Sequence, residues 1–273
     1  KLNKIYPAIL DKENNIRDVS KIVDDWNSLT LNDITISKIQ EMEYSNFPIV
    51  ENNCKIAPCV GNVGKIVCIG LNYSDHAAEI NIKVPTQPIV FMKATSAING
   101  PNDDIIIPKN SSKTDWEVEL AVVIGKKAKY VDTNSVSEYI FGYCIANDLS
   151  EREFQLEHGG QWVKGKSCDT FAPIGPYLVS KNEVSNPQNL KIWLELNGKK
   201  VQDSSTKEMI FDVDYLVSYL SRYMSLNPGD IIFTGSPPGV GFGMNPQVFL
   251  KEGDMLRSGI EGLGIQKQKI VNL

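Results

Sequence analysis

The chain has 273 residues, 42% hydrophobic and 22% charged, which is long enough to bury one sizeable core plus a small appended unit. A formal charge of -5 with no Lys/Arg run argues against nucleic acid or an anionic membrane as the main partner. Five cysteines, at 54, 59, 68, 144 and 168, are odd in number and form no C-x-x-C pair, so reduced thiols and the cytoplasm are expected rather than a disulfide framework.

No apolar run approaches the ~20 residues of a membrane span, and the opening Lys1-Leu2-Asn3-Lys4-Ile5 has no signal-peptide core. The chain starts without Met, so a few residues are expected to precede Lys1. Residues 1–60 read as a small amino-terminal domain, with a strand-like piece at Ile5 to Leu10 and helical stretches near Ser20 to Trp26 and Asn32 to Met42. Residues 61–273 form the larger domain. Short apolar runs divided by Gly and Pro recur there: Ile66 to Ile69, Ile89 to Met92, Ile105 to Ile107, Leu120 to Ile124, Gly142 to Ala146, Ile192 to Leu196 and Ile231 to Phe233. That spacing predicts a strand-rich architecture. The clearest helix is Asp212 to Met224, with Val213, Leu216, Val217, Leu220 and Met224 at helical spacing.

Five stretches carry candidate chemistry. In Gly70 to Glu79, His76 has a carboxylate three residues on, so on a helical turn Glu79 can orient the imidazole as a base; a surface His/Glu pair has the same spacing. Glu117 and Glu119 open an otherwise apolar strand and share a face ~6.6 Å apart along it, so either nearby lysines (Lys113, Lys126, Lys127) or a cation must neutralise them. Asp148 ends the next strand, at a corner where Ser150 and Glu153 have capping-box spacing for a helix. Three carboxylates without His or Cys suit Mg²⁺, Mn²⁺ or Ca²⁺ better than zinc or copper.

Gly160 to Ser167 matches the G-x-x-x-x-G-K-[ST] phosphate loop by letter, but no apolar strand precedes it and Pro173 stops a following helix, so a nucleotide is not expected. Lys166 remains a candidate cation beside the acids, and His158 reads as a surface or lid residue. Thr234 to Gly241 is a Gly/Pro-rich loop after a strand. It reads as a rigid turn or as a loop offering Thr234 and backbone N–H groups to an oxyanion.

Together, Gly70-Leu71-Asn72-Tyr73 through His76 and Glu79, Asp115 to Leu120, Asn147 to Gln155, Gly165 to Thr170 and Thr234 to Gly241 resemble the fumarylacetoacetate hydrolase family from about Gly64 to Val271. The resemblance implies an α+β, mainly β fold, a mixed β-sandwich roll with short helices, in a homodimer that uses Mg²⁺ or Mn²⁺. It implies Glu117, Glu119 and Asp148 as metal ligands, His76 and Glu79 as a dyad with Lys166 as a third catalytic residue, and Arg152, Gln155, Thr234 and Tyr73 as substrate contacts. The motifs look most like the bacterial branch of ureidoglycolate lyases and 2,4-diketo-3-deoxy-L-fuconate hydrolases. Large animal members have a further acid ligand, whereas Gly64 to Tyr73 carries none here, so water is expected in its place. The implied activity is hydrolytic C–C cleavage of a 2,4-dioxo acid to pyruvate and a carboxylic acid. Isomerisation or decarboxylation of an oxo acid, a ureidoglycolate lyase reaction, and a non-enzymatic binding module are the alternatives.

Overall fold

The computed structural model describes residues 4–50, 54–75 and 84–273. Near the amino end, β1 (Ala8–Leu10) pairs antiparallel with β2 (Ile16–Asp18). The helix Asp33–Gln40 follows, its first turn capped by Asn32 Oδ1, which accepts from Thr35 N at 3.0 Å. Val19, Val23, Ile39 and Phe47 make a small cluster separate from the main core. The helix expected over 20–26 is a set of turns. Asp18 Oδ1 accepts from the Ser20 N–H and the Thr30 hydroxyl donates to the Asp25 carbonyl, so polar side chains satisfy backbone groups that a helix would use.

Beyond residue 60, the described residues form two large sheets besides one two-stranded pair. One has seven strands, in the order β4 (Ile89–Lys93), β3 (Ile66–Gly70), β14 (Ile231–Phe233), β8 (Val118–Ile124), β9 (Ile140–Asn147), β11 (Ala172–Ser180) and β5 (Ile98–Asn99). Its two edge strands, β4 and β5, are joined by only residues 94–97, a reach of roughly 14 Å at full extension. A flat seven-stranded sheet places its edges about 28 Å apart, so this sheet must curl. The second sheet runs β13 (Lys199–Ser205), β12 (Lys191–Leu196), β15 (Met255–Ile260), β16 (Gly264–Asn272) and β6 (Ile105–Ile107). β12 and β15 pack on β8, and β16 packs on β9 and β11. Covered on both faces, β8 and β9 are buried at every position, which explains their nearly continuous apolar sequence. This curled, mainly β architecture with short helices is the fold expected from the sequence.

The helix expected at Asp212 to Met224 spans Val213–Tyr223; Asp212 Oδ1 accepts from Tyr215 N at 2.7 Å, and Leu216, Val217 and Leu220 are buried. Among the described residues no helix is long and apolar enough to cross a membrane.

Candidate metal and active site

The acids lie where one long ladder is interrupted. β8 pairs with β9 through Val118↔Asn147 and Glu119↔Ala146, and the two-stranded pair β7 (Thr114–Asp115) with β10 (Ser150–Glu151) continues the same register through Asp115↔Ser150. Between them, Asp148 N donates to Glu117 O at 2.8 Å and Glu117 N to Asn147 Oδ1 at 2.9 Å. Glu117 therefore faces Asp148 across the strands, and Glu119 stands two residues along the same face. Each of the three offers an oxygen within 4.8 Å of the others. Glu119 and Asp148 are almost fully enclosed.

Buried like charges at this spacing require compensation. Lys166 Nζ donates to Glu117 Oε2 and to Asp148 Oδ2, both at 2.6 Å. Arg152 donates to Glu117 Oε1 at 2.6 Å, and its other guanidinium bonds go to Asp115 Oδ2 and to Gln155 Oε1. Lys93 Nζ donates to Asp148 Oδ1 at 2.6 Å. The neutralising cations are thus Lys166, Arg152 and Lys93 rather than Lys113, Lys126 or Lys127; Lys113 pairs with Glu157 and Lys126 lies toward Glu138. Glu119 has no Lys or Arg partner among the described residues and accepts from Gly235 N at 2.7 Å.

The consequences for protonation differ between the two glutamates. Burial acts to raise Glu117, but Arg152 and Lys166 outweigh it and hold the carboxyl well below the usual range. Burial pushes Glu119 well above that range, Asp148 and Glu117 push the same way, and Lys166 and the Gly235 N–H oppose only in part. Burial alone would lower Lys166, yet Asp148 and Glu117 keep the ammonium raised. An all-oxygen set of three carboxylates, one lacking a cationic partner, fits a hard divalent ion.

That asymmetry predicts a pH dependence. An acid raised in the folded state costs the metal-free protein stability as pH climbs above the ordinary carboxylate range, and ion binding must displace the Glu119 proton. Mn²⁺ is expected to raise the melting temperature more at pH 8 than at pH 5.5 in thermal-shift titrations of chelator-stripped protein. An equal shift at both values would contradict it.

The short helices beside the acids are placed by glycine and by local polar contacts. Glu151, not Ser150, caps the helix Arg152–Leu156, because Ser150 Oγ is turned back onto Asp148 O at 3.0 Å. Capping-box spacing was met in sequence, but the strand continues through Ser150 and removes it from the cap. The helix Val163–Lys166 packs directly on this one: a Cβ at Gly165 would lie 2.2 Å from Glu151 O and 2.6 Å from Gln155 N. Only glycine permits the approach that delivers Lys166 to the acids. The phosphate-loop lookalike is therefore preceded by a helix and a turn, not by a strand.

Of the other expected site residues, Arg152 meets Glu117 directly, and Gln155 is reached only through Arg152, from which its Oε1 accepts. Thr234 is fully buried and its hydroxyl donates to Leu120 O at 2.8 Å, so it anchors the loop after β14 and the following N–H, Gly235, reaches Glu119. Gly235 has φ +100 and a Cβ there would meet Asn72 Cβ at 2.7 Å. Tyr73 is fully buried and its hydroxyl has no hydrogen-bond partner among the described residues. His158 is half exposed and stacks on Phe154. His76 and Glu79 lie outside the described residues.

Two members of the network were not foreseen. Asp115, fully buried, accepts from Trp116 N, Gly241 N, Phe242 N and twice from Arg152, and so ties the loop after β14 to the arginine on Glu117. Lys93 ends an apolar strand, and a lysine in phase with Phe91 on that strand was the one available signal.

Comparison with known proteins agrees with this geometry. Residues 65–271 match the fumarylacetoacetate (FAA) hydrolase C-terminal family. The chain belongs to this family. A Burkholderia orbicola relative named only as a hydrolase is 53% identical over 97% of this chain and 95% of its own length. Among solved structures, a fumarylacetoacetate hydrolase from Exiguobacterium antarcticum is 30% identical with a TM-score of 0.87, over 100% of this chain and 97% of that one. A 2-hydroxyhepta-2,4-diene-1,7-dioate isomerase from Mycobacterium marinum is 35% identical with a TM-score of 0.68, over 85% of this chain and 80% of that one. The family is enzymatic and includes proteins named as hydrolases and as isomerases.

Proposed function

We propose that this enzyme hydrolyses the C3–C4 bond of a 2,4-dioxo acid, an acylpyruvate or a 2,4-diketo-3-deoxy sugar acid, to pyruvate and a carboxylic acid. The observation that carries the reading is the face formed by Glu117, Glu119 and Asp148, with Lys166 bridging two of them. Glu117, Glu119 and Asp148 would hold Mg²⁺ or Mn²⁺. When bound, that ion would supply Lewis-acid chemistry to the oxo acid.

The remaining work falls to side chains. Arg152, fixed by Asp115 and Gln155, holds Glu117 in place from behind. His76, with Glu79 three residues on, takes a proton from water, and the hydroxide adds at C4. As the C3–C4 bond breaks, its electron pair passes to C3 and onto the 2-oxo oxygen. Lys166, kept charged by Asp148 and Glu117, faces the negative charge that develops there. Proton return to C3 completes pyruvate.

The similarity to an isomerase supports a second reading, in which the same residues move a proton between C3 and oxygen without adding water. Product identity separates the two. With a panel of acylpyruvates and sugar-derived 2,4-dioxo acids, pyruvate release coupled to lactate dehydrogenase is expected, lost in EDTA and restored by Mg²⁺ or Mn²⁺. A tautomer without fragments would select the isomerase, and undiminished turnover in chelator would exclude the metal-dependent reading.

A further inference from the structure

Asp148 has two carboxylate oxygens, and they are not equivalent. Oδ2 is turned toward Glu117 and shares Lys166 with it. Oδ1 is bound by Lys93 Nζ at 2.6 Å, and the same ammonium donates to Leu149 O at 2.9 Å. The Lys93 and Asp148 side chains are both 0% exposed. Lys93 reaches this place because the sheet curls: it is the last residue of the edge strand β4, just before the short link to the opposite edge. The next residue, Ala94, donates its N–H to Ser167 Oγ at 2.8 Å, so the same corner also fixes the residue after Lys166.

We propose that Lys93 is a positioning residue that restricts Asp148 to one oxygen for a divalent ion and keeps a fixed positive charge behind it. The ion is thereby held less tightly, and an anionic chelating ligand more tightly, than the carboxylates alone would hold them. This rests on the reading of Glu117, Glu119 and Asp148 as ion ligands. The charge balance gives the sign. Among the described residues, Asp115, Glu117, Glu119 and Asp148 face Lys93, Arg152 and Lys166, which leaves one negative charge in excess once ion binding has displaced the Glu119 proton. A dication converts that excess to one positive charge, which favours an anion. Without Lys93 the loaded site is neutral, and Asp148 Oδ1 is free to turn to the ion while Oδ2 stays shared with Lys166.

A residue that only supported the fold would act differently, because its loss would weaken ion and anion binding together. The experiment is a calorimetric titration of Mn²⁺ into chelator-stripped wild type and Lys93→Met, followed by oxalate titration of each Mn²⁺-loaded protein, with Mn²⁺ electron paramagnetic resonance reporting the free ion. For one unit charge within a few ångströms of a dication in a buried site, Lys93→Met is expected to tighten Mn²⁺ and weaken oxalate, each by about tenfold or more. If Lys93→Met does not fold, Lys93→Gln retains one donor for Oδ1 without the charge and is expected to shift both affinities in the same two directions. Parallel weakening, or no change in either affinity, overturns the role of Lys93. Failure of wild type to bind Mn²⁺ overturns the ion-site reading itself, and the Lys93 role with it.

Discussion

Glu119→Gln is expected to lower turnover of an acylpyruvate by about three orders of magnitude, ~4 kcal/mol of transition-state stabilisation, while the metal-free protein becomes no less stable than wild type. The two effects have one source. Glu119 is buried beside Asp148 and Glu117, and the cations nearby are committed elsewhere: Lys166 to Glu117 and Asp148, Arg152 to Glu117 and Asp115, Lys93 to Asp148. Its ionised form is therefore an expense to the empty fold and an asset once an ion is present. Glutamine keeps an acceptor for the Gly235 N–H and offers an amide to the neighbouring carboxylates, so little packing is lost. Steady-state kinetics at saturating Mg²⁺ and thermal melts in EDTA measure the two halves. A kcat within tenfold of wild type, or a melting temperature clearly below wild type in EDTA, would rule the assignment out.

Asp148→Asn removes a carboxylate from the same face and is expected to have the opposite effect on stability. Asp148 is the shared acceptor of two buried ammonium groups, Lys93 on Oδ1 and Lys166 on Oδ2. Asparagine keeps one acceptor oxygen and turns an NH2 toward the other ammonium, so both lysines lose the facing charge and one of them also loses its acceptor, falling back on Leu149 O for Lys93 or on Glu117 for Lys166. Removing one partner of a buried ion pair typically costs ~3–5 kcal/mol, because the remaining charge is stranded rather than because the pair was strong. Urea unfolding in EDTA should therefore show a large loss for Asp148→Asn and none for Glu119→Gln, although both variants lose activity. Similar unfolding midpoints for the two variants would show that the cations relax to other partners and that the network is not coupled as described.

The contrast between these acids marks the boundary of what sequence reading could reach. Glu117, Glu119 and Asp148 were legible as a set because strand periodicity is local: an i, i+2 pair shares a face wherever the strand lies, and a residue ending the next strand of an antiparallel pair falls opposite its start. The same locality made the helix Val213–Tyr223 readable from its apolar spacing and the mainly β class readable from its short apolar runs. Lys166 was legible as a cation close to Asp148, the family motifs added Arg152 and Gln155, and the structure brings Lys166 and Arg152 to the acids with Gln155 behind Arg152.

Local rules misplaced the cap of the helix Arg152–Leu156 and predicted a helix over 20–26. In each case polar side chains choose among backbone partners that spacing alone does not rank. The partners of Lys93 and Asp115 were beyond sequence reading for a different reason. Lys93 is 55 residues from its partner Asp148, and Asp115 is 126 residues from the Gly241 N–H it accepts. Their side chains meet only because one sheet curls until residues 94–97 span its two edges and the loop after β14 folds over the ladder. The sequence by itself determined which residues carry charge on which face of which strand. The tertiary structure decided which cation answers which oxygen, because buried charges are paired by the closure of the roll, and closure depends on contacts that no local pattern encodes.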